Sequence, residues 1–327
     1  MRSTCSLYID VGYLLASAAT RVTGTSLRSG IHPEYAKLIS SLVDAAEARS
    51  GLPVLRVHWY DSAKNGVPDA QQERIGEIPK VKLRLGRFGV DGKQKGVDLR
   101  IGLDLVAHAR NSASDVFFLV SGDDDLTEAV EEAQVHGVQV VLLAVPNADG
   151  RPHGVSRYLI RAADEIDTVD GAAVDGAVIK VEHPPVREPA APVQAPEPPL
   201  PTAAAAVRPT PRDLAAAAAH CPTAPPPTSV LAYSSSTGSP AHLLPEYQEQ
   251  EEQDRLLDEV VMRVLSSIRT SASSEEQQQL QSARPSIPSD IDRALLIDAS
   301  DALQVYDLDE GIRYRLRARF WEKHDES

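Results

Sequence analysis

The stretch Val116-Phe-Phe-Leu-Val-Ser-Gly-Asp-Asp-Asp-Leu126 decides how this chain is read. Five apolar residues bounded by polar turns fit a short buried strand. A glycine and three successive aspartates follow at once, and a helix is expected over 123–136, stopped at Gly137. Working upstream, residues 5–9 read as a strand ending at Asp10, with a helix through 19. A helix over 33–49 has Pro33 in its first turn and Gly51 past its end. Strands over 54–60 and 81–88 come next, then an amphipathic helix over 97–109. Downstream lie a strand over 138–144, a short helix over 156–163 and a last short strand near 166–169. Strands alternating with helices imply a parallel sheet covered on both faces, and right-handed crossovers make it a three-layer α/β sandwich.

In such sheets ligands bind outside the carboxyl ends of the strands. Asp10 closes the first strand, and Asp123 and Asp125 follow the strand 116–120. Asp98 opens the helix 97–109 in Lys95-Gly-Val-Asp-Leu-Arg100. Four carboxylates from three separated segments can therefore meet at one edge of the sheet. Gathered carboxylates repel, and one must protonate unless a cation sits among them. Hard oxygen ligands suit Mg²⁺ or Mn²⁺, ions that activate water and neutralise charge on phosphate oxygens. The expected chemistry is phosphodiester hydrolysis. Each aspartate taken alone has a second explanation as the N-cap of the next helix. The triple Asp123-Asp124-Asp125 exceeds what one cap needs. Asp104 lies six positions after Asp98, about 240° around the helix, and is either a supporting residue behind the metal ligands or a salt-bridge residue.

Between 80 and 100 the chain carries Lys80, Lys82, Arg84, Arg87, Lys93, Lys95 and Arg100 against Asp91 and Asp98. In a strand, Lys80, Lys82 and Arg84 share one face. Two readings stand side by side: a basic stripe guiding a polyanion to the acidic site, or the solvated face of an edge strand guarded by lysine. Lys80, Lys82, Arg84, Lys95 and Arg100 are the RNA-binding candidates, with Lys95 the nearest in sequence to Asp98. The net charge of −14 excludes a chain coated with basic charge, though not a local patch. His58, His108, His136 and His153 show no metal-ligand spacing, and no phosphate-cradling glycine loop occurs. The two cysteines, Cys5 and Cys221, make neither a disulfide framework nor a zinc finger, which fits a reduced cytoplasmic setting. No apolar run is long enough to span a membrane.

Three blocks, Leu7-Tyr-Ile-Asp-Val-Gly-Tyr-Leu14, Gln94-Lys-Gly-Val-Asp-Leu-Arg-Ile-Gly-Leu-Asp104 and Leu119-Val-Ser-Gly-Asp-Asp-Asp-Leu126, together resemble the NYN domain family, a branch of the PIN-like nucleases. Gly137-Val-Gln-Val-Val141 looks like the strand that follows. The resemblance covers about 4–170. It implies a Rossmann-like sandwich, an aspartate cluster binding Mg²⁺ or Mn²⁺, and ribonuclease activity, taken here as endonucleolytic. Matched by motif, Asp10, Asp98, Asp123 and Asp125 are the expected catalytic and metal-binding residues, with Asp104, Asp124 and Tyr13 behind them. Tyr13 departs from the pattern, because the family usually has an Asn three residues after its first Asp. Tyrosine cannot copy amide geometry, though its hydroxyl donates one hydrogen bond.

The composition divides the chain into a domain over 1–170, a linker over 171–243 and a helical module over 244–327. Fifteen of the 24 prolines fall within 183–240, between alanine runs at 203–206 and 215–219, a composition that stays extended and disordered. A helix over 247–268 carries an apolar stripe of Leu256, Leu257, Val260, Val261, Val264, Leu265 and Ile268 that needs a partner surface. Further helices are expected from Pro288 through Leu303 and over 309–321. Arg313, Arg315, Arg317 and Arg319 make no single basic face. The module is read as a docking or dimerisation bundle, with RNA binding as the other possibility.

Three functions compete on these grounds. The first is a metal-dependent ribonuclease, and the second a non-catalytic RNA- or protein-binding module that retains the fold. A haloacid-dehalogenase-type phosphatase needs Asp-x-Asp at the first strand, where this chain has Asp10-Val-Gly12.

Overall fold

Strand β1 (Cys5–Asp10) is buried on both faces because its apolar side chains serve two cores. Cys5, Leu7 and Ile9 point into one, and Tyr8 into the other. The strand Val116–Val120 divides in the same way, with Val116, Phe118 and Val120 on the first side and Phe117 and Leu119 on the second. The computed structural model describes residues 3–88, 94–181, 246–305 and 307–326.

Around β1 run the helix α1 (Val11–Thr23), the short strand β2 (Ile31–Pro33), α2 (Tyr35–Ser50), β3 (Val54–Ala63), α3 (Ala70–Gly76), β4 (Val81–Phe88) and β5 (Gln94–Lys95). Next come α4 (Val97–Arg110), β6 (Val116–Val120), α5 (Thr127–Val135), β7 (Gln139–Ala144), α6 (Arg157–Ala162) and β8 (Glu165–Thr168). The sheet order is β5-β4-β3-β1-β6-β7-β8. Six strands are parallel, and β5 pairs antiparallel with β4 at one edge. Helices α1 and α2 cover one face; α4 and α5 cover the other. This is the expected three-layer sandwich. Strands added after β1 go first to its β3 side and then to its β6 side, so the topology reverses beside β1. Asp10 stands at that reversal, where open sheets leave a crevice.

Several elements differ from the sequence reading. The expected helix 33–49 starts at Tyr35, because residues 31–33 pair as β2 with a strand near the domain's end. The expected helix 123–136 begins as a 3-10 turn, Asp124–Leu126, before α5. The folded region also continues past 170: α7 (Gly171–Ala177) is capped by Asp170, and β9 (Val178–Lys180) pairs with β2. The alanines and glycines of 171–177 carry little periodic signal, and β9 is fixed by a partner some 150 positions away. The Pro/Ala segment of 182–245 lies outside the described residues.

The C-terminal helices are α8 (Glu246–Ser271), α9 (Ser274–Ser282), α10 (Ser289–Leu303) and α11 (Glu310–Glu326). Leu257, Val260, Val261, Val264, Leu265 and Ile268 of α8 are buried against α10 and α11, so the apolar stripe finds its partner within the chain. The arginines of α11 brace this bundle. Arg315 and Arg319 pair with Asp254, Arg319 also with Asp258, and Arg317 with Asp292. The bundle docks on the sandwich, and the two form one compact unit. Leu27, just after α1, is fully buried in the bundle's core. The Ser26 backbone N–H donates to the Asp298 carboxylate at 3.0 Å, and its hydroxyl donates to the Ala294 carbonyl at 3.3 Å.

Candidate metal centre

Asp10 has the cap geometry of α1: its Oδ1 accepts the backbone N–H of Gly12 at 2.8 Å and of Tyr13 at 3.3 Å. Its Oδ2 is left to face the Ser121 hydroxyl, which donates at 3.4 Å. The capping and site-forming explanations of this residue therefore use different oxygens of one carboxylate. Asp123 does the same for the 3-10 turn, accepting the Asp125 N–H at 3.1 Å while its own N–H donates to Ser121. Asp98 sits in the first turn of α4, entered through Gly96 at φ 80°, a left-handed conformation that suits glycine.

Asp10, Asp98 and Asp123 all line one cavity of about 1020 Å³ at the carboxyl ends of β1 and β6. Burial first, and then the neighbouring Asp98 carboxylate, push Asp10 up to about 6. Burial also raises Asp98, with Asp125 adding to it, and raises Asp123, with Asp98 and Asp125 adding to it. Burial is the main cause at all three, and mutual repulsion of the carboxylates adds to it. Asp125 is exposed and does not line the cavity. Asp123, Asp124 and Asp125 bring one carboxylate oxygen each within 4.8 Å of one another. The donor set is all hard oxygen and fits Mg²⁺ or Mn²⁺.

The residues expected behind the ligands behave differently. The Tyr13 hydroxyl donates to the His153 carbonyl at 2.8 Å and accepts from the Val145 N–H at 3.3 Å. It ties α1 to the loops after β7, and its polar atom is spent on backbone. Asp104 does not reach the cavity. It accepts from the Tyr60 hydroxyl at 3.0 Å and pairs with Arg84 at 3.1 Å on the α4 side of the sheet, so it is the salt-bridge residue.

The basic strand is likewise displaced. Lys80 precedes the amino end of β4, remote from the strand ends that form the site, and pairs with Glu47 at 3.6 Å. Lys82 is exposed on the same face as Arg84, and Arg100 is exposed on α4; neither lines the cavity. The side chain of Lys95 lies outside the described residues. Charge along the sequence could not tell which end of a strand each lysine occupies. The cations that do line the cavity are Arg157 and Arg161 of α6, Arg293 of α10 and Arg313 beside Asp307. Arg157 and Arg161 were legible in principle, being four apart on a helix that follows β7. Arg293 carried no such signal.

Gly122 closes the site from behind. A Cβ there would lie 1.7 Å from the Gly154 carbonyl oxygen and 3.0 Å from the Tyr13 ring. The Gly122 carbonyl in turn accepts the Ser156 N–H at 2.9 Å, which seats the segment leading into α6.

A doubly wound α/β domain with clustered aspartates at its topological reversal is the architecture of a PIN-like nuclease. The sequence model of the NYN domain matches residues 5–170, and the chain belongs to that family. Over 81 residues it is 43% identical to the uncharacterized protein y4oD of Sinorhizobium fredii, a match covering 25% of this chain and 38% of that relative. Among the described residues, no helix is long and apolar enough to cross a membrane.

Proposed function

We propose that the protein is a metal-dependent endoribonuclease that hydrolyses RNA phosphodiester bonds at Asp10, Asp98 and Asp123, with Asp125 beside Asp123. The observation that carries the reading is that three carboxylates from three separate segments line one cavity, where burial and mutual repulsion raise all three. A bound Mg²⁺ or Mn²⁺ supplies charge neutralisation and a more acidic water. The chain's own contribution is positional. Backbone amides fix one oxygen each of Asp10 and Asp123, so their second oxygens are held without rotamer search. Ser121 links the two by hydrogen bonds to both. Arginines lining the same cavity match phosphate geometry in a way that lysine does not. The separated cysteines fit a cytoplasmic protein.

A second reading, a non-catalytic RNA- or protein-binding module, is favoured by one observation. Where the family usually carries an Asn, the Tyr13 hydroxyl is committed to two backbone groups. A cleavage assay in Mn²⁺ on single-stranded and structured RNA separates the two, with Asp10→Asn as control. Loss of cleavage in Asp10→Asn and in the Asp123→Asn/Asp125→Asn double variant is expected. Unchanged cleavage in the double variant refutes the nuclease.

A further inference from the structure

The cavity above the aspartates is not built by the NYN domain alone. Part of its wall is α10 and the segment after it, including Arg293, Leu296, Ser300 and Gln304. The wall is held in register from both sides. Ser26 bonds to Asp298 and to the Ala294 carbonyl, one residue from Arg293. His153 Nδ1 lies 3.6 Å from the Asp301 carboxylate. The module leaves about 1020 Å³ open in front of the carboxylates, the size range of ligand sites, so it lines the site without plugging it.

We propose that the C-terminal module completes the active site and that Arg293 binds a phosphate of the substrate strand beside the Asp10, Asp98 and Asp123 carboxylates. This rests on the nuclease reading for its substrate. Arg293 and the three carboxylates line one cavity, which is what a phosphate held at an acidic metal centre requires of its second, cationic contact. Arg293 also lies close enough to Asp98 for their opposite charges to interact. Tyr158, exposed at the cavity's edge between Arg157 and Arg161 of the chain, offers a ring face to an unpaired base.

The test uses the full-length protein and a short, labelled single-stranded oligoribonucleotide. Binding is followed by anisotropy in Ca²⁺, an oxygen-seeking cation that holds the carboxylates, over a series of salt concentrations. Arg293→Gln is expected to weaken binding about tenfold. It should also reduce the slope of log affinity against log salt by about 0.7, the contribution of one phosphate contact to a single strand. Arg293→Lys is expected to restore the slope and only part of the affinity, because an ammonium lacks the fork. A merely structural role would move the melting temperature and leave the slope alone. Affinity and slope equal to wild type in Arg293→Gln, or tighter binding, overturn the proposal and leave Arg293 as a counter-ion to Asp98. A wild-type protein that binds with this salt dependence and does not cleave in Mn²⁺ refutes the nuclease reading while supporting Arg293. A wild-type protein that cleaves, paired with an unaffected Arg293→Gln, refutes Arg293 alone.

Discussion

Replacing Asp10 by Asn removes the site carboxylate that its surroundings raise furthest. In the metal-free fold, burial and Asp98 hold Asp10 at about 6, against an ordinary value of 3.8. A raised carboxylate pKa penalises the folded state wherever the group is ionised, so the penalty is full above the folded value and disappears below the unfolded one. At about 1.36 kcal/mol per pKa unit, the penalty is roughly 3 kcal/mol at pH 7.5 and about half that at pH 5. The amide oxygen of Asn still accepts the Gly12 and Tyr13 N–H groups, and Asn caps helices as well as Asp does. Asp10→Asn is therefore expected to be more stable than wild type by about 2–3 kcal/mol at pH 7.5 in chelator, with the advantage shrinking toward pH 5. Added Mn²⁺ should raise the wild-type midpoint and leave the variant nearly unchanged. Urea unfolding at the two pH values, with and without Mn²⁺, reads all four quantities. A variant less stable than wild type at pH 7.5, or an advantage that does not change with pH, would refute the account of Asp10 as a buried carboxylate held above its ordinary value.

Two further outcomes follow from the packing. Gly122→Ala drives a methyl into the Gly154 carbonyl oxygen, and backbone must move on both sides. A loss of about 3 kcal/mol in urea unfolding is expected, and a loss below about 1 kcal/mol would show that the loop after β7 yields easily. His58 is buried against Tyr8 with its Nδ1 unpartnered; burial, then His108, pushes its pKa down to about 3. A lowered histidine pKa means stability lost as pH falls below the unfolded value of 6.5. Between pH 7.5 and 5, wild type should lose about 2 kcal/mol more than His58→Phe. Parallel pH profiles for the two proteins would refute it.

The acidic constellation was legible because it is written locally. Asp10, Asp98 and Asp123 each stand where a strand ends or a helix begins, and hydrophobic periodicity locates such points. The doubly wound sheet followed from the same signal. Elements with weak periodicity or distant partners were not legible: α7, the β2–β9 pair, and α9 with its single buried leucine.

What the sequence by itself determined is the alternation that builds the sheet and the carboxylates at its ends, since both depend on neighbours a few residues apart. What only the tertiary structure decided is where positive charge meets that site. Lys80, Lys82 and Arg84 lie along one strand in a row that sequence displays plainly, yet Lys80 and Arg84 pair with Glu47 and Asp104 and none of the three lines the cavity. Arg293 stands nearly 200 residues from Asp98, beyond the linker, and reaches the cavity because Leu27 and Ser26 seat the C-terminal bundle against the domain. A docking contact of that kind depends on shape and burial between surfaces that exist only after both parts have folded.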